Sequence, residues 1–205
     1  MTMEFRFRSL LARIEAATSG YLAQIGWIRT RAERVARNAA GEPIPWFTYP
    51  AIRMLGDRVQ KPWHVLEYGG GMGTLWWAKR VDRVVAVEHD VQWADKIAAD
   101  SHAHVIRAPA EQPQQYVRAP AETGPYDVIV VDGIHRNECL IAAPEMLQPT
   151  GVIVLDDAQR EDYLPGIRVL LSAGFRSLEL HGPQPVSKQP GCTTIFYRPA
   201  NVLGL

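Results

Sequence analysis

The sequence predicts an α/β protein on a doubly wound, mostly parallel sheet of seven strands, and three observations carry that prediction. From Lys61 onward, short apolar runs alternate with segments of helical periodicity. The central runs are continuously Val/Ile/Leu-rich rather than alternating, as strands buried on both faces are. The last two candidate strands are joined by a Pro/Gly-rich segment too short for a crossover helix, so they should pair antiparallel. The 205 residues fit one domain, taken as 45–205, behind a helical appendage at 1–44, and 47% hydrophobic residues supply its core.

The appendage reads as helix because Leu10, Leu11, Ile14, Leu22, Ile25 and Ile28 recur near the helical period. Arg29, Arg31, Arg34 and Arg37 follow, either as a solvated helical face or as an anion-binding lip on the site. Gly41 to Pro45 breaks the helix, and a second short one is expected from Ala51 to Val59. The strands follow: His64 to Glu67, Val84 to Glu88, His104 to Ile106, Asp127 to Asp132, Val152 to Asp156, Phe175 to Leu180 and Thr193 to Tyr197. Helices fit between them at Leu75 to Arg80, Gln92 to Ala99, Glu138 to Leu147 and Tyr163 to Ala173.

Bulk properties narrow the function. Lys plus Arg equals Asp plus Glu at 22 each, so no general nucleic-acid binder is expected. Two cysteines without paired spacing, Cys139 and Cys192, argue against a disulfide framework or a zinc site, and Cys139 is expected in the core. Arg6, Arg8 and Arg13 interrupt any signal-peptide-like run, and Tyr21 to Ile28 is too short for a membrane helix. A cytoplasmic protein without a membrane partner is expected. The appendage suits a lid or a homodimer interface, and the sequence leaves both open.

The most informative stretch is Glu67-Tyr68-Gly69-Gly70-Gly71-Met72-Gly73-Thr74, which follows a buried strand and opens a helix. Glycines there permit a tight turn and close ligand approach, beside free helix-start N–H groups. The dinucleotide pattern Gly-x-Gly-x-x-Gly fails, since it would need glycine at Thr74 or Trp76, and no Gly-Lys-Ser/Thr P-loop is present. What remains is an acid followed by Gly-x-Gly-x-Gly. This resembles the first motif of the class I S-adenosylmethionine-dependent methyltransferases, whose fold is Rossmann-like. The resemblance implies S-adenosylmethionine as cofactor, Glu67 at its cationic amino-acid end, and Gly69, Gly71 and Gly73 as the family glycines. Glu88 lies 21 positions after Glu67, at the end of the next strand. The resemblance assigns it the ribose hydroxyls; otherwise it is a strand-end acid facing water. Where many members carry an adenine-binding Asp, this chain has Ala108-Pro109-Ala110, so adenine is expected on backbone near Ala110 and Glu111. The segment Pro45 to Pro50, with Trp46, offers an aromatic wall, and Thr48 and Tyr49 are candidates to touch the cofactor. Trp77 is expected in the core.

At the same rim the fourth strand ends in Asp132-Gly133-Ile134-His135 and the fifth in Asp156-Asp157. Clustered carboxylates repel unless a positive group sits among them, and Mg²⁺ is one candidate. The pattern resembles metal-dependent small-molecule O-methyltransferases. That implies Asp132, Asp156 and Asp157 as metal ligands and His135, with Asp132, as the base for a hydroxyl acceptor. Without a metal, Asp156 or Asp157 caps a helix, and Asp132 and His135 bind loop backbone. Two other classes are weighed. A non-catalytic cofactor-binding regulator needs no polar rim. An RNA methyltransferase would want an Asn-Pro-Pro-Tyr-type motif or a basic domain, and only the N-terminal arginines favour it.

Overall fold

The computed structural model describes residues 3–205, with side chains from Arg8 onward apart from residues 16 and 17. Residues 1 and 2 of the expected appendage, and the Arg6 side chain, lie outside that description. Seven strands form one sheet: β1 (His64–Tyr68), β2 (Arg83–Glu88), β3 (His104–Arg107), β4 (Tyr126–Val131), β5 (Leu147–Leu155), β6 (Arg176–Pro183) and β7 (Pro190–Tyr197). Their order is β3-β2-β1-β4-β5-β7-β6. β1 to β5 pair in parallel, while β7 lies antiparallel to both β5 and β6. The short β6–β7 connection forces that last pairing. Strand order reverses between β1 and β4, and in such sheets the crevice at the reversal is where ligands bind.

The helices are α1 (Met3–Thr18), α2 (Tyr21–Gln24), α3 (Trp27–Glu33), α4 (Tyr49–Gly56), α5 (Met72–Ala78), α6 (Val91–Asp100), α7 (Pro113–Arg118), α8 (Arg136–Met146) and α9 (Leu164–Ser172). Successive strand residues point to opposite faces. Leu66, Ile129, Val131 and Ile153 therefore join the cluster containing Cys139 and Leu140 of α8 and Leu170 of α9. Val65, Val128, Val130 and Val154 join the cluster containing Leu55 of α4 and Trp77 of α5. Ala36 and Ile44 are buried in that second cluster.

The N-terminal periodicity does not make one helix. Gly20 and Gly26 interrupt it, and a Cβ on Gly26 (φ +87°) would sit 2.6 Å from the Ala39 nitrogen. Leu10, Leu11 and Ile14 of α1 are exposed. The second short helix starts and ends earlier than expected, with Pro50 in its first turn. α7 was not expected, since six residues are too few for a periodic signal. Among the described residues no helix is long and apolar enough to cross a membrane.

Candidate active site

A cleft of about 1070 Å³ opens over the carboxyl ends of β1, β2, β4 and β5. Its floor is the acid–glycine turn. Its walls include Glu88 to Asp90, Trp93, Asp132 to Ile134, Asp156 and Asp157. Arg34 to Ala36, Trp46 and the loop 184–190 close the outer half. The volume matches the upper end of the roughly 300–1,000 Å³ of small-molecule sites.

In the floor, Gly69 adopts φ +89°, and a Cβ there would lie 2.5 Å from the Gly133 Cα, so only glycine permits this turn. A Cβ on Gly73 would overlap Glu67 Oε1, so the missing side chain lets the carboxylate sit beneath the helix start. Gly71 opens onto space, where an added Cβ would meet nothing nearer than Trp93 Nε1 at 4.0 Å. The Thr74 hydroxyl accepts the Gly71 N–H (3.0 Å) and donates to Glu67 Oε2. Glu67 is only 2% exposed. Burial, joined by the charges of Asp132 and Glu88 and opposed by Thr74, pushes its pKa up to about 8. A buried carboxyl beside two other acids, opening on a cleft, favours a cation, and the amino group of S-adenosylmethionine fits it. Glu88 Oε1 accepts the N–H groups of His89 and Asp90, both at 2.8 Å, which fixes the carboxylate on the cleft wall. Trp93 walls that side by donating to the Gly70 carbonyl (2.8 Å).

At the rim the positive group is an arginine. Arg136 donates to Asp132 Oδ1 (2.9 Å) and to the carbonyls of Asp132 (2.8 Å), Gly133 (2.9 Å) and Asp156 (2.6 Å), tying the ends of β4 and β5 together. Burial still raises Asp132 to about 6 against the pull of Arg136, with Asp157 adding to the rise. Asp156 accepts the Thr193 hydroxyl (2.7 Å) and is held well above the carboxylate range by burial and then by Asp132. Asp157 pairs with Arg160. Among the described residues, the oxygens of Asp132, Asp156 and Asp157 do not gather within 4.8 Å of one another. This donor set does not fit the metal expected from the resemblance, because Arg136 and Arg160 already supply the compensating charge.

Three other expected contacts need correction. His135 is not on the cleft wall: its Nε2 lies 2.7 Å from the Ala110 carbonyl and its ring meets Tyr116 edge-on, 5.8 Å between centroids. Thr48 and Tyr49 are buried in the core. The Thr48 hydroxyl donates to the Leu180 carbonyl (2.8 Å), and its N–H donates to the Thr193 hydroxyl (2.9 Å). Residues 108–111 are off the wall too, with the Ala110 carbonyl engaged. Trp77 is fully buried, while Trp46 is half exposed on the wall. Of the four arginines after α2, Arg29 pairs with Glu33 and Arg31 and Arg37 bind carbonyls, whereas Arg34 lines the cleft.

Sequence reasoning passed over Thr74, Trp93, Arg136, Arg160 and Gln184. For Arg136 a signal existed, since Arg four residues after Asp is a favoured pair across a helix start. Trp93 and Gln184 come from segments with no motif. Strain marks the site independently. The four non-glycine residues with positive φ among those described are Arg34, His135, Asp157 and Val186. Three line the cleft and His135 sits between two that do. Such conformations persist where the surroundings over-determine them, commonly at functional sites.

Residues 66–158 match the model of a family described as a methyltransferase domain. Among solved structures, the chain is similar to a candidate O-methyltransferase from Klebsiella pneumoniae (18% identity, TM-score 0.57, over 98% of this chain and 100% of that one). It is similar to precorrin-6y C5,15-methyltransferase from Geobacter metallireducens GS-15 (17%, TM-score 0.56, 73% and 87%). A third is 1,6-didemethyltoxoflavin N1-methyltransferase from Burkholderia thailandensis, with bound 1,6-didemethyltoxoflavin and S-adenosylhomocysteine (16%, TM-score 0.53, 97% and 91%). At such identities the structural likeness establishes the fold. No curated protein sequence matches the chain significantly. The glycine turn and the carboxylate rim thus both lie within the stretch that matches a methyltransferase domain, on a fold shared with known methyltransferases.

Proposed function

We propose that the protein methylates a hydroxyl oxygen of a small molecule held in the outer half of the cleft, with Asp132 as the group that orients the hydroxyl and accepts its proton. The observation that carries this reading is the Asp132 carboxylate on the cleft wall: Arg136 holds Oδ1, and the pKa stands at about 6. A base near operating pH combines availability with proton affinity. S-adenosylmethionine, when bound, supplies a methyl group already activated by its sulfonium. Glu67 faces the cofactor's ammonium, Glu88 the ribose diol, and Gly71 leaves room for the chain between them. Asp132 would take the acceptor's hydroxyl proton, and the cofactor, held by Glu67 and Glu88, would supply the methyl group and leave as the neutral thioether. Positioning supplies most of the acceleration. Arg34, on the wall at the mouth, favours an acceptor with an anionic group. His135, engaged at Ala110, positions the wall beside Tyr116 rather than moving a proton. No step is assigned to a metal.

Transfer of labelled methyl to a panel of small phenols, sugars and hydroxy acids tests the reading. Asp132→Asn should lower kcat by about 10²–10⁴-fold with S-adenosylhomocysteine binding retained. Transfer only to nitrogen or sulfur acceptors, or unchanged kcat in Asp132→Asn, would overturn it.

A further inference from the structure

Away from the cleft wall, β6 and β7 bring three metal-binding side chains to one face. His181 and Cys192 stand directly opposite each other in the antiparallel register, and Glu179 lies two residues from His181 on the same face. His181 Nε2 is 3.0 Å from Glu179 Oε2 and 3.7 Å from Cys192 Sγ, and all three ligand atoms lie within 4.8 Å of one another. β6 is the edge strand of the sheet, and the Glu179 and His181 side chains are more than half exposed, while Cys192 is buried beneath them, so the group is reached from the side of Glu179 and His181.

We propose that Glu179, His181 and Cys192 form a zinc site, with water as the fourth ligand. Tetrahedral Zn²⁺ with its usual bond lengths separates a nitrogen and a sulfur ligand by about 3.6 Å, and a nitrogen and an oxygen ligand by about 3.4 Å. The observed 3.7 and 3.0 Å differ from these by a few tenths of an ångström, and the Glu179 oxygen, within 4.8 Å of the sulfur, closes the rest by rotation of its exposed side chain. The set joins thiolate, imidazole and carboxylate, a donor mixture that suits zinc rather than the harder Mg²⁺. The Thr194 hydroxyl, 3.5 Å from Cys192 Sγ, supports the sulfur from behind. On binding, the thiol proton leaves to solvent and the sulfur lone pair goes to the metal.

The site borders the catalytic rim through backbone. The Cys192 N–H donates to Gln159 Oε1 (2.8 Å), its carbonyl accepts the Ala158 N–H (2.9 Å), and neighbouring Thr193 holds Asp156. A metal clamping β6 to β7 here stiffens the segment carrying Asp156 to Arg160. The sequence reading set zinc aside because the cysteines lack paired spacing; these ligands meet through strand register, which spacing does not record.

The test titrates the full, metal-stripped chain with Co²⁺ and then Zn²⁺. We expect one equivalent of Co²⁺ to give a thiolate-to-cobalt charge-transfer band that Zn²⁺ bleaches. Cys192→Ser should abolish the band, His181→Gln should weaken binding on the order of 100-fold, and Cys139→Ser should change nothing. The exposed His181 position keeps the test decisive if Cys192→Ser folds poorly. A wild-type chain without the band, a band surviving in Cys192→Ser, or binding unchanged in His181→Gln would overturn the proposal.

Discussion

If Glu67 receives the cofactor's ammonium, binding must couple to a proton. In the free protein its carboxyl titrates at about 8 rather than at the ordinary 4.5, chiefly because it is buried. The ionised form is the one that pairs with a cation, so affinity follows the ionised fraction, which is about 1% at pH 6 and about one half at pH 8. S-adenosylhomocysteine should therefore bind about fifty-fold more tightly at pH 8 than at pH 6, releasing up to one proton at the lower pH. Stability of the free protein runs the other way. A carboxyl whose pKa is raised on folding contributes fully below the unfolded value near 4.5, and that contribution is lost as pH rises toward 8. Glu67→Gln should then bind weakly with a flat pH profile, yet melt higher than wild type at pH 8. Calorimetry in two buffers of different ionisation enthalpy counts the proton, and thermal melts give the second readout. A wild-type affinity flat within twofold from pH 6 to 8, or a pH slope that survives in Glu67→Gln, would refute the reasoning.

Further expectations rest on the rim. Arg136→Met leaves Asp132 without its partner and should cost about 3–5 kcal/mol in urea unfolding at pH 8. The cost should shrink at pH 5, below the value near 6 at which Asp132 takes a proton, and equal costs at both pH values would contradict the pairing. His135→Ala frees the Ala110 carbonyl and should raise the KM for S-adenosylmethionine with little change in kcat; a kcat loss above about 100-fold would restore the imidazole as general base.

The fold was legible because the central strands are apolar on both faces and the turns between elements carry glycine and proline. All seven strands overlap their expected positions, although β5 begins at Leu147, where a helix end was expected, and β7 begins at Pro190; the β6–β7 pairing followed from loop length alone. The floor of the cleft was legible for the same reason: Glu67, Gly69, Gly71 and Gly73 run from the end of β1 into the start of α5, and Glu88 ends the adjacent strand. Side-chain direction was not. Thr48 and Tyr49 precede the turn in sequence, but their segment packs on β6 and β7, so they face the core. The αL backbone of His135 (φ 51°) carries its ring to Ala110. Charge balance at the rim required a partner, and the sequence alone did not reveal that Arg136 would fold back across two strand ends to supply it.

The central claim, a cofactor site floored by Glu67 and walled by Glu88, is tested most directly by titrating S-adenosylhomocysteine into the purified chain and its Glu88→Ala variant. We expect micromolar binding at one site, weakened about 10–100-fold by the substitution, as for loss of a hydrogen bond to a charged group, with chelator leaving both unchanged. A folded wild-type chain that binds no S-adenosylhomocysteine, or a folded Glu88→Ala variant that binds it equally well, would contradict the account.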